Sequence, residues 1–207
     1  MIVLKNLTKI YELNKNNKTV AIKNINLQIN EGELIVLKGA SGSGKSTILS
    51  LLAGLSKPSS GEVIINNRQI SKLPDNFASD FRQKYIGFIF QKYNLIPNLS
   101  VQDNILLPLV PKNLDSIYAK ELLEKVMYDF KIEPVAIARS QINNPKIVIA
   151  DEPTANLDKE LSKHFISILK ELKNKGKTII VASHDPLFFD LDFATKVIEI
   201  SNGEIVL

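Results

Sequence analysis

Apolar and polar residues alternate along two segments near the start of the chain, Ile2 to Tyr11 and Val20 to Ile29. A period of two is typical of half-buried strands, so the pattern predicts two antiparallel strands. The segment between them, Asn14 to Lys18, contains only Asn and Lys and is predicted to be a solvated loop. The chain is therefore predicted to begin with a β-hairpin.

Farther along the chain, short apolar runs alternate with segments of helical periodicity. The helical pattern is clearest just after Thr47, from Ile117 to Phe130, and in the apolar stripe between Leu161 and Leu172. Strands that alternate with helices indicate a largely parallel sheet, so the predicted fold class is α/β with an antiparallel N-terminal part. The main runs predicted to be strands are Glu33 to Leu37, Gly61 to Asn66, Tyr85 to Phe90, Lys146 to Ala150, Thr178 to Ala182 and Val197 to Ile200.

Length and composition narrow the class of protein. A chain of 207 residues is long enough for one well-packed domain with at most a small subdomain. No apolar run approaches the roughly 18 residues that would cross a bilayer, and no secretory signal is recognisable, so we expect a soluble cytoplasmic protein. The absence of cysteine excludes disulfides and thiolate metal sites. The net charge of +4 comes mostly from scattered lysines, which favours a solvated surface over a site for nucleic acid or anionic lipid.

A glycine-rich segment follows the first buried run directly, and a predicted helix comes next. Glycines allow successive backbone N–H groups to point inward, and the helix presents its positive N-terminus to an anion. Lys45 is expected to reach the β- and γ-phosphates of ATP, Ser46 to bind Mg²⁺, and Thr47 to contact the α-phosphate. A Gly/Ser-rich turn without a ligand is the alternative. The phosphate-binding pattern G-x-x-x-x-G-K-[ST] is matched by Gly39, Ala40, Ser41, Gly42, Ser43, Gly44, Lys45 and Ser46.

Two carboxylates stand at the end of the apolar run Lys146 to Ala150. Asp151 is expected to support Mg²⁺, because hard oxygen ligands suit that ion. Glu152, one residue later, is placed to polarise an attacking water. An acidic helix cap after a strand is the alternative, and the presence of the glycine-rich segment argues against it.

Two further polar residues close apolar runs. Gln91 follows the run that ends at Phe90, and His184 follows Ser183. His184 comes directly after a strand that should run parallel to the one bearing Asp151, so it should face the same edge of the sheet, where ligands bind. The alternative for each is an ordinary structural role, which is also the interpretation of the second histidine, His164, within an amphipathic helix.

These motifs, in this order and over nearly the whole chain, resemble the nucleotide-binding subunit of an ABC transporter. The stretch Asp151-Glu152-Pro153-Thr154 is similar to the Walker B strand end with its catalytic glutamate. Gln91 resembles the glutamine that senses Mg²⁺ and couples to the membrane subunit. Ser183-His184-Asp185 resembles the segment whose histidine touches the γ-phosphate.

Two more segments carry the same resemblance. Lys9-Ile10-Tyr11 is similar to the segment whose aromatic residue stacks on adenine, which implies that role for Tyr11. Ala155-Asn156-Leu157-Asp158 resembles the loop that crosses the dimer interface. The stretch from Gln91 to Pro108 is similar to the subgroup of lipoprotein-releasing (LolD), macrolide-export (MacB) and cell-division (FtsE) ATPases.

The resemblance implies a P-loop NTPase fold of ABC type, with one domain over residues 1–207 and a shortened helical subdomain over 92–140. It implies an ATP hydrolase that uses Mg²⁺, with Glu152, His184 and Gln91 as catalytic residues and Ser46, Gln91 and Asp151 at the metal. The implied partners are a membrane permease and a second copy of the chain in an ATP-sandwich dimer, without nucleic acid. The protein would then lie on the inner face of the cell membrane, held there by its partner.

One hallmark of that family is missing. Before a segment like Val135-Ala-Ile-Ala-Arg139 such proteins carry the signature LSGGQ, whereas Lys131 to Pro134 here runs straight into Val135. An element of this kind acts in trans and is worth roughly 10³ to 10⁵ in rate, so we expect ATP binding to survive and hydrolysis to be slow. Natural degeneration, engineered deletion and residues left out of the printed sequence are the three explanations. A Cα separation between Pro134 and Val135 well beyond about 3.8 Å would favour the last.

Two functions are consistent with these residues. The first is the ATPase subunit of a membrane complex. The second is a nucleotide-binding regulatory subunit with little or no hydrolysis, which the missing signature favours and the intact Glu152 and His184 disfavour. A P-loop kinase or a chromosome-maintenance ATPase fits less well, because the chain shows no acceptor-binding lid and leaves no room for a long heptad insertion.

Overall fold

The computed structural model describes residues 1–14, 17–112, 115–130 and 135–206. Its strands form two sheets. The smaller sheet is antiparallel with the strand order β2-β1-β4-β5, and the larger sheet has the order β10-β9-β3-β8-β7-β6. The strands are β1 (Ile2–Asn14), β2 (Asn17–Ile29), β3 (Leu34–Lys38), β4 (Ser60–Ile65), β5 (Arg68–Gln69), β6 (Ile86–Ile89), β7 (Ile147–Asp151), β8 (Thr178–Ser183), β9 (Lys196–Ser201) and β10 (Glu204–Val206).

The N-terminal hairpin is longer than its apolar pattern predicts. Tyr11 pairs with Thr19, and Asn14 pairs with Asn17, so strand pairing continues into the segment predicted to be loop. That prediction was wrong because backbone pairing does not require an apolar side chain at each position. Here an exposed cross-strand ion pair between Glu12 and Lys18, at 2.7 Å, accompanies the pairing. Residues 15–16, also part of that prediction, lie outside the described residues.

The larger sheet brings the ends of three strands to one edge. β3 pairs in parallel with β8, and β7 pairs in parallel with both β8 and β6. The register places Lys38 beside Ser183 and Asp151 beside Ala182. Because parallel strands end at the same side of a sheet, the residues that follow β3, β7 and β8 converge there.

The core lies on both faces of this larger sheet, which explains why its strands are continuous apolar runs. Alternate residues of a strand point to opposite faces. Ile35 and Leu37 of β3 therefore pack in one cluster with residues of the smaller sheet, while Leu34 and Val36 pack in the other with Phe165. Because both faces of these strands are buried, apolar residues occupy successive positions instead of alternating with polar ones.

Six α-helices surround the sheets in the described part of the chain. Asp158 caps the N-terminus of the sixth, where its Oδ1 accepts hydrogen bonds from the N–H groups of Glu160 and Leu161 at 2.9 and 2.8 Å. Three short 3₁₀ helices span Ile70–Lys72, Leu107–Lys112 and Pro186–Phe188. The α-helices are α1 (Lys45–Leu52), α2 (Asp75–Tyr85), α3 (Val101–Leu106), α4 (Ser116–Phe130), α5 (Val135–Gln141) and α6 (Lys159–Asn174).

Three α-helices were not predicted from the sequence: α2, α3 and the seven-residue α5. In α2 only Ala78 and Phe81 are buried, so its apolar stripe is too narrow to stand out, and it ends at Tyr85, which was predicted to begin a strand. α3 has only six residues and is marked mainly by its cap, the Oγ of Ser100, which accepts from the N–H of Asp103 at 3.1 Å. Short or mostly exposed helices leave little periodic signal.

Two further sequence-based expectations concern the segment before α5 and the absence of a membrane-spanning helix. Residues 131–134 lie outside the described residues, and so does the Cα separation that would test for missing residues before α5. Within the described ranges, no helix combines the length and apolar character needed to span a bilayer.

Candidate functional site

The glycine-rich segment forms a turn between β3 and α1 that has no room for side chains at two positions. A Cβ on Gly39 would lie 2.2 Å from the carbonyl oxygen of Ile200. A Cβ on Gly44 would lie 2.7 Å from the carbonyl oxygen of Ala21, and the φ of Gly44 is +107°, in the left-handed region. The backbone is therefore packed against β2 and β9 while it curls into α1.

The backbone N–H groups at the N-terminus of α1 have no capping side chain to accept their hydrogen bonds. Its N-cap residue is Gly44, which has no capping side chain, and the first turn contains no acidic residue. The buried Oγ of Ser43 has no hydrogen-bond partner among the described residues. Unpaired N–H groups, a helix dipole and a buried unpaired hydroxyl fit a bound anion such as phosphate.

Lys45 is the first residue of α1, and its ammonium group is buried at the base of the turn. Its side chain is 5% exposed, and Nζ donates to the carbonyl oxygens of Gly39 and Ala40 at 2.7 and 3.0 Å. Nζ also lies 3.4 Å from Oε1 of Glu152. The lysine of the glycine-rich turn is therefore in contact with the glutamate that follows β7.

Ser46 and Asp151 provide a second contact between the same two segments. The Oγ of Ser46 donates to Oδ1 of Asp151 at 2.9 Å. Burial raises the pKa of Asp151 above its ordinary value, an effect that the hydrogen bond from Ser46 partly offsets and the nearby charge of Glu152 adds to. A nearby cation would favour the charged form of this carboxyl, so its environment fits a magnesium ligand.

Glu152 lies in a strained backbone conformation with its side chain nearly buried. Its φ is +45°, and its N–H donates to the carbonyl oxygen of Ala182 at 2.9 Å, which fixes the turn to β8. The carboxylate is 10% exposed, and its Oε2 lies 2.9 Å from Nδ1 of His184 and accepts from the backbone N–H of His184 at 3.3 Å. The histidine ring itself is largely exposed.

A cavity of about 280 Å³ joins these groups. The predicted site residues that line it are Ser41, Gly42, Ser43, Gly44, Lys45, Ser46, Thr47, Gln91, Glu152 and His184. Gln91 is exposed and reaches the cavity from the end of β6, and its carbonyl oxygen accepts from Nδ2 of Asn156 at 3.1 Å. Sequence motifs more than a hundred residues apart thus meet in one space.

Four predicted site residues do not line this cavity: Gly39, Ala40 and Asp151, which are hydrogen-bonded to the lining residues Lys45 and Ser46, and Tyr11. Tyr11 lies on β1, its ring is partly exposed, and Nζ of Lys9 lies 5.0 Å from the ring centroid. Its partner across the hairpin, Thr19, lines the cavity together with Val20 and Ala21 of β2. The sequence pattern of β2 gave no sign of this role, because it depends on which side of the hairpin faces α1.

Two more contacts at the site were not predicted as such. The Oγ of Thr154 donates to Oδ2 of Asp185 at 3.0 Å, which joins the loop after β7 to the loop after β8. Arg139 of α5 donates from Nη1 to the carbonyl oxygen of Asn94 at 2.8 Å and from Nη2 to that of Tyr93, close to Gln91. Contacts between residues so distant in sequence leave no periodic signal.

The oxygen donors at the site suit Mg²⁺ held jointly with a phosphate. No group of three or more His, Cys, Asp or Glu residues that could hold a metal occurs in the part of the chain that the structure describes. Magnesium commonly takes one or two protein ligands and completes its shell with water and phosphate oxygens. Ser46 and Asp151, with Gln91 on the same cavity, match that pattern of donors.

Comparison with known proteins agrees with the phosphate-binding geometry of this site. The ABC transporter family profile matches residues 22–155. An uncharacterized ABC transporter ATP-binding protein of Methanocaldococcus jannaschii is 43% identical, over all of this chain and 98% of its own length. The lipoprotein-releasing system ATP-binding protein LolD of Wigglesworthia glossinidia brevipalpis is 39% identical, over 97% of this chain and 94% of its own length.

A solved structure shares the fold. The ATP-binding cassette MJ0796 of Methanocaldococcus jannaschii, in a dimeric post-hydrolysis structure bound to ADP and Pi, superposes with a TM-score of 0.91 and 35% identity. The match covers all of this chain and 97% of that one. The predicted α/β fold of ABC type is therefore confirmed.

Some of the alignments are longer than this chain. The match to the Methanocaldococcus jannaschii protein extends over 222 positions, although this chain has 207 residues, so the alignment contains gaps in this chain. The relatives include LolD and macrolide-export MacB proteins, which confirms the predicted subgroup. The chain belongs to the ATP-binding proteins of the ABC transporter family.

Proposed function

We propose that this chain binds ATP with Mg²⁺ and hydrolyses it, as the energy-supplying subunit of a membrane complex. The observation that carries the proposal is the pair of contacts Ser46–Asp151 and Lys45–Glu152, at 2.9 and 3.4 Å. They place a phosphate-binding turn against a buried carboxylate at the carboxyl edge of a parallel sheet. Binding and hydrolysis of a triphosphate need these groups within a few ångströms of each other.

The residues of the turn hold the phosphates in this proposal. The backbone N–H groups of Gly42, Gly44, Lys45 and Ser46, at the N-terminus of α1, bind phosphate oxygens. Lys45 exchanges its contacts with the carbonyl oxygens of Gly39 and Ala40 for the β- and γ-phosphates. Ser46, Asp151 and Gln91 supply oxygen donors to Mg²⁺, which when bound neutralises charge on the phosphates.

Glu152 and His184 carry the chemistry. Glu152 accepts a proton from the attacking water as the water oxygen bonds to the γ-phosphorus and the bond to the ADP oxygen breaks. His184, at 2.9 Å from Glu152, orients that carboxylate and reaches toward the γ-phosphate. Tyr11 is proposed to contact adenine from the edge of the hairpin, beside the cavity residue Thr19.

A second cavity supports the proposal of a membrane partner. This lateral groove, of about 360 Å³, lies between β6 and the α3–α5 region, and its lining includes Ile86, Phe88, Phe90, Asn94, Pro108 and Arg139. Large apolar residues next to it are exposed, among them Leu95, Ile96 and Leu99. Exposed apolar clusters commonly mark protein interfaces, so we propose that the permease docks there. The helices of residues 92–140 then form the subdomain that meets the partner, and the chain lies at the inner face of the membrane.

A second copy of the chain is the other proposed partner. The solved relative MJ0796 is dimeric. We propose a similar ATP-sandwich dimer here, with the Ala155 to Asp158 loop at its interface. The signature missing before Val135 favours the regulatory alternative, whereas the carboxylate of Glu152, held in contact with Lys45 and His184, favours hydrolysis. Phosphate release, measured with and without a membrane partner, separates the two.

The proposed function is tested first by binding. Isothermal titration of the protein with Mg²⁺ and ATP should show saturable binding, and Lys45→Ala should weaken it by about 100-fold, because charge-assisted hydrogen bonds to phosphate are lost. Lys38→Ala is the matched control, since Lys38 instead pairs with Glu199 at 2.8 Å outside the cavity. No binding by the native chain, or equal affinities for native and Lys45→Ala proteins, would refute the proposal.

A further inference from the structure

Arg139 lines the lateral groove and contacts the turn that follows Gln91, a residue of the nucleotide cavity. Arg139 is 8% exposed and lies on α5. Burial alone lowers the pKa of Arg139, and no carboxylate of the described residues contributes to that shift. Its known hydrogen bonds go to two backbone carbonyl oxygens, those of Tyr93 and Asn94. Burying a cation without a carboxylate partner costs free energy. The hydrogen bonds to the two carbonyl oxygens offset part of this cost.

The two carbonyl groups belong to an unusual turn. Tyr93 and Asn94 are consecutive residues with φ of +58° and +46°, and non-glycine residues rarely adopt this left-handed region. Both carbonyl groups contact one guanidinium group, whose planar donors suit two acceptors at once. The turn begins two residues after Gln91, whose side chain lines the nucleotide cavity.

Other contacts hold the opposite side of the same turn. The hydroxyl of Tyr93 donates to the carbonyl oxygen of Pro153 at 3.4 Å, directly after Glu152. Nδ2 of Asn156 donates to the carbonyl oxygen of Gln91 at 3.1 Å. The loop from Gln91 to Asn94 is thus held between Arg139 on the groove side and the segment after β7 on the nucleotide side.

We propose that Arg139 is a positioning residue, whose guanidinium group holds the carbonyls of Tyr93 and Asn94 and thereby fixes Gln91 at the magnesium and phosphate cavity. The same contacts make Arg139 the connection through which a partner in the lateral groove reaches Gln91, since Arg139 and Asn94 line that groove. The proposal rests on the proposed function, because it concerns how Gln91 supports Mg²⁺ in the nucleotide site.

An equilibrium measurement tests this role without relying on turnover. ATP affinity is measured by titration in EDTA and in Mg²⁺, and the ratio of the two gives the enhancement by the metal. Arg139→Gln should reduce that enhancement by about tenfold, the effect of one hydrogen bond to a charged group, and leave the affinity in EDTA unchanged. Gln91→Ala should reduce it similarly, and the double variant should lose no more than either single variant.

Hydrogen exchange tests the geometry directly. The N–H groups of Tyr93 and Asn94 donate to the carbonyl oxygens of Phe90 and Lys92 at 2.9 and 2.6 Å, so they should exchange slowly in the native chain. Arg139→Gln should speed exchange of residues 91–94 at least about tenfold while exchange in β7 and β8 stays unchanged. Uniformly faster exchange in all strands would mean only a loss of global stability and would overturn the proposal.

Lys177→Gln is the matched control. Lys177 is a half-buried cation whose Nζ, like the guanidinium group of Arg139, donates to a backbone carbonyl oxygen, that of Pro145 at 2.6 Å, but at the opposite edge of the sheet. It should change neither the metal enhancement nor exchange at 91–94. If Arg139→Gln and Lys177→Gln behave alike, Arg139 has no positioning role. If the native chain binds no ATP, the proposed function fails, while exchange at 91–94 still decides whether Arg139 holds the turn.

Discussion

The two walls of the nucleotide cavity differ in the groups that form them: one is mostly backbone and the other mostly side chains. One wall, the turn between β3 and α1, is mostly backbone, because a Cβ on Gly39 or Gly44 would approach a neighbouring carbonyl oxygen within 2.2 or 2.7 Å. The other wall, at the ends of β7 and β8, consists of the side chains of Glu152 and His184, with Asp151 behind it in contact with Ser46. The first wall offers fixed donors to an anion, whereas the second offers groups that gain and lose protons or bind a metal.

This difference teaches where affinity and turnover reside. A backbone wall binds the phosphates of substrate and product alike, so damage to it should weaken binding or destabilise the fold. A side-chain wall touches the reacting atoms, so a conservative change there should slow the reaction and spare binding. Two contacts join the walls, Ser46–Asp151 and Lys45–Glu152. Substitutions on each side should therefore separate the two properties.

The largest expected effect is on the side-chain wall. Glu152→Gln keeps the size of the side chain but cannot accept the proton of the attacking water, so turnover should fall by roughly 10² to 10⁴. Affinity for Mg²⁺ and ATP should stay within about threefold, because the substitution leaves the backbone of the turn between β3 and α1 unchanged. Phosphate release and isothermal titration measure the two quantities.

The control for that experiment is the same substitution at a glutamate that lies away from the cavity. Glu171→Gln changes an exposed residue of α6 and should leave both turnover and affinity unchanged. Unaltered turnover in Glu152→Gln would remove Glu152 from its proposed role. A parallel loss of affinity would show that the two walls do not divide binding from chemistry.

The second effect is on the backbone wall. Gly44→Ala introduces a Cβ at 2.7 Å from the carbonyl oxygen of Ala21 and from Cγ2 of Ile22, at a φ of +107°. The free energy of unfolding should fall by about 2–3 kcal/mol, as expected for a strained backbone position, and ATP affinity should fall with it. Urea denaturation and titration measure these changes.

Gly176→Ala separates strain from collision. Gly176 also has a left-handed φ, +79°, but no atom lies within 4 Å of its added Cβ among the described residues. Its substitution should cost only about 1 kcal/mol, the typical penalty for a non-glycine residue in that region, and leave ATP affinity unchanged. Equal losses of stability in the two variants would show that the close approach at Gly44 is relieved by small shifts.

The same contrast explains how much of the site could be predicted. The backbone wall is encoded locally: a strand, three glycines, Lys45 and a helix follow one another in the sequence, and the structure places them in one turn. His184 was expected to meet Asp151 at one edge because parallel strands end together, and its ring lies 2.9 Å from Glu152. Local order and sheet direction were sufficient for these residues.

Contacts between distant segments could not be predicted in this way. Arg139 and Tyr93 are in contact only because α5 packs beside the end of β6, and Thr154 bonds to Asp185 only because of the register of β7 and β8. Neither pair leaves a period in the sequence. The extent of the hairpin was misjudged for a related reason, since pairing of Asn14 with Asn17 depends on the partner strand rather than on apolar residues.

The smallest expected effect is on the pH dependence of the free energy of unfolding. It tests whether the ionised side-chain wall destabilises the fold. Burial raises the pKa of Asp151 above the unfolded value of 3.8. The folded state therefore holds this proton more tightly, so the stabilisation is complete below pH 3.8 and is lost as pH rises through the raised pKa. Above that window the ionised carboxyl destabilises the chain without metal.

Asp151→Asn removes this titration and keeps an oxygen to accept from Ser46. The variant should be more stable than the native chain at pH 7, by less than about 1 kcal/mol because the carboxyl is partly exposed, and the difference should shrink toward pH 3. Urea denaturation in EDTA across this range measures it. Asp75→Asn should show the opposite trend, because a hydrogen bond from Lys57 lowers the pKa of Asp75 and its stabilisation is lost as pH falls. If Asp151→Asn instead loses stability as pH rises, the carboxylate contributes to the fold, and the side-chain wall is as structural as the backbone wall opposite it.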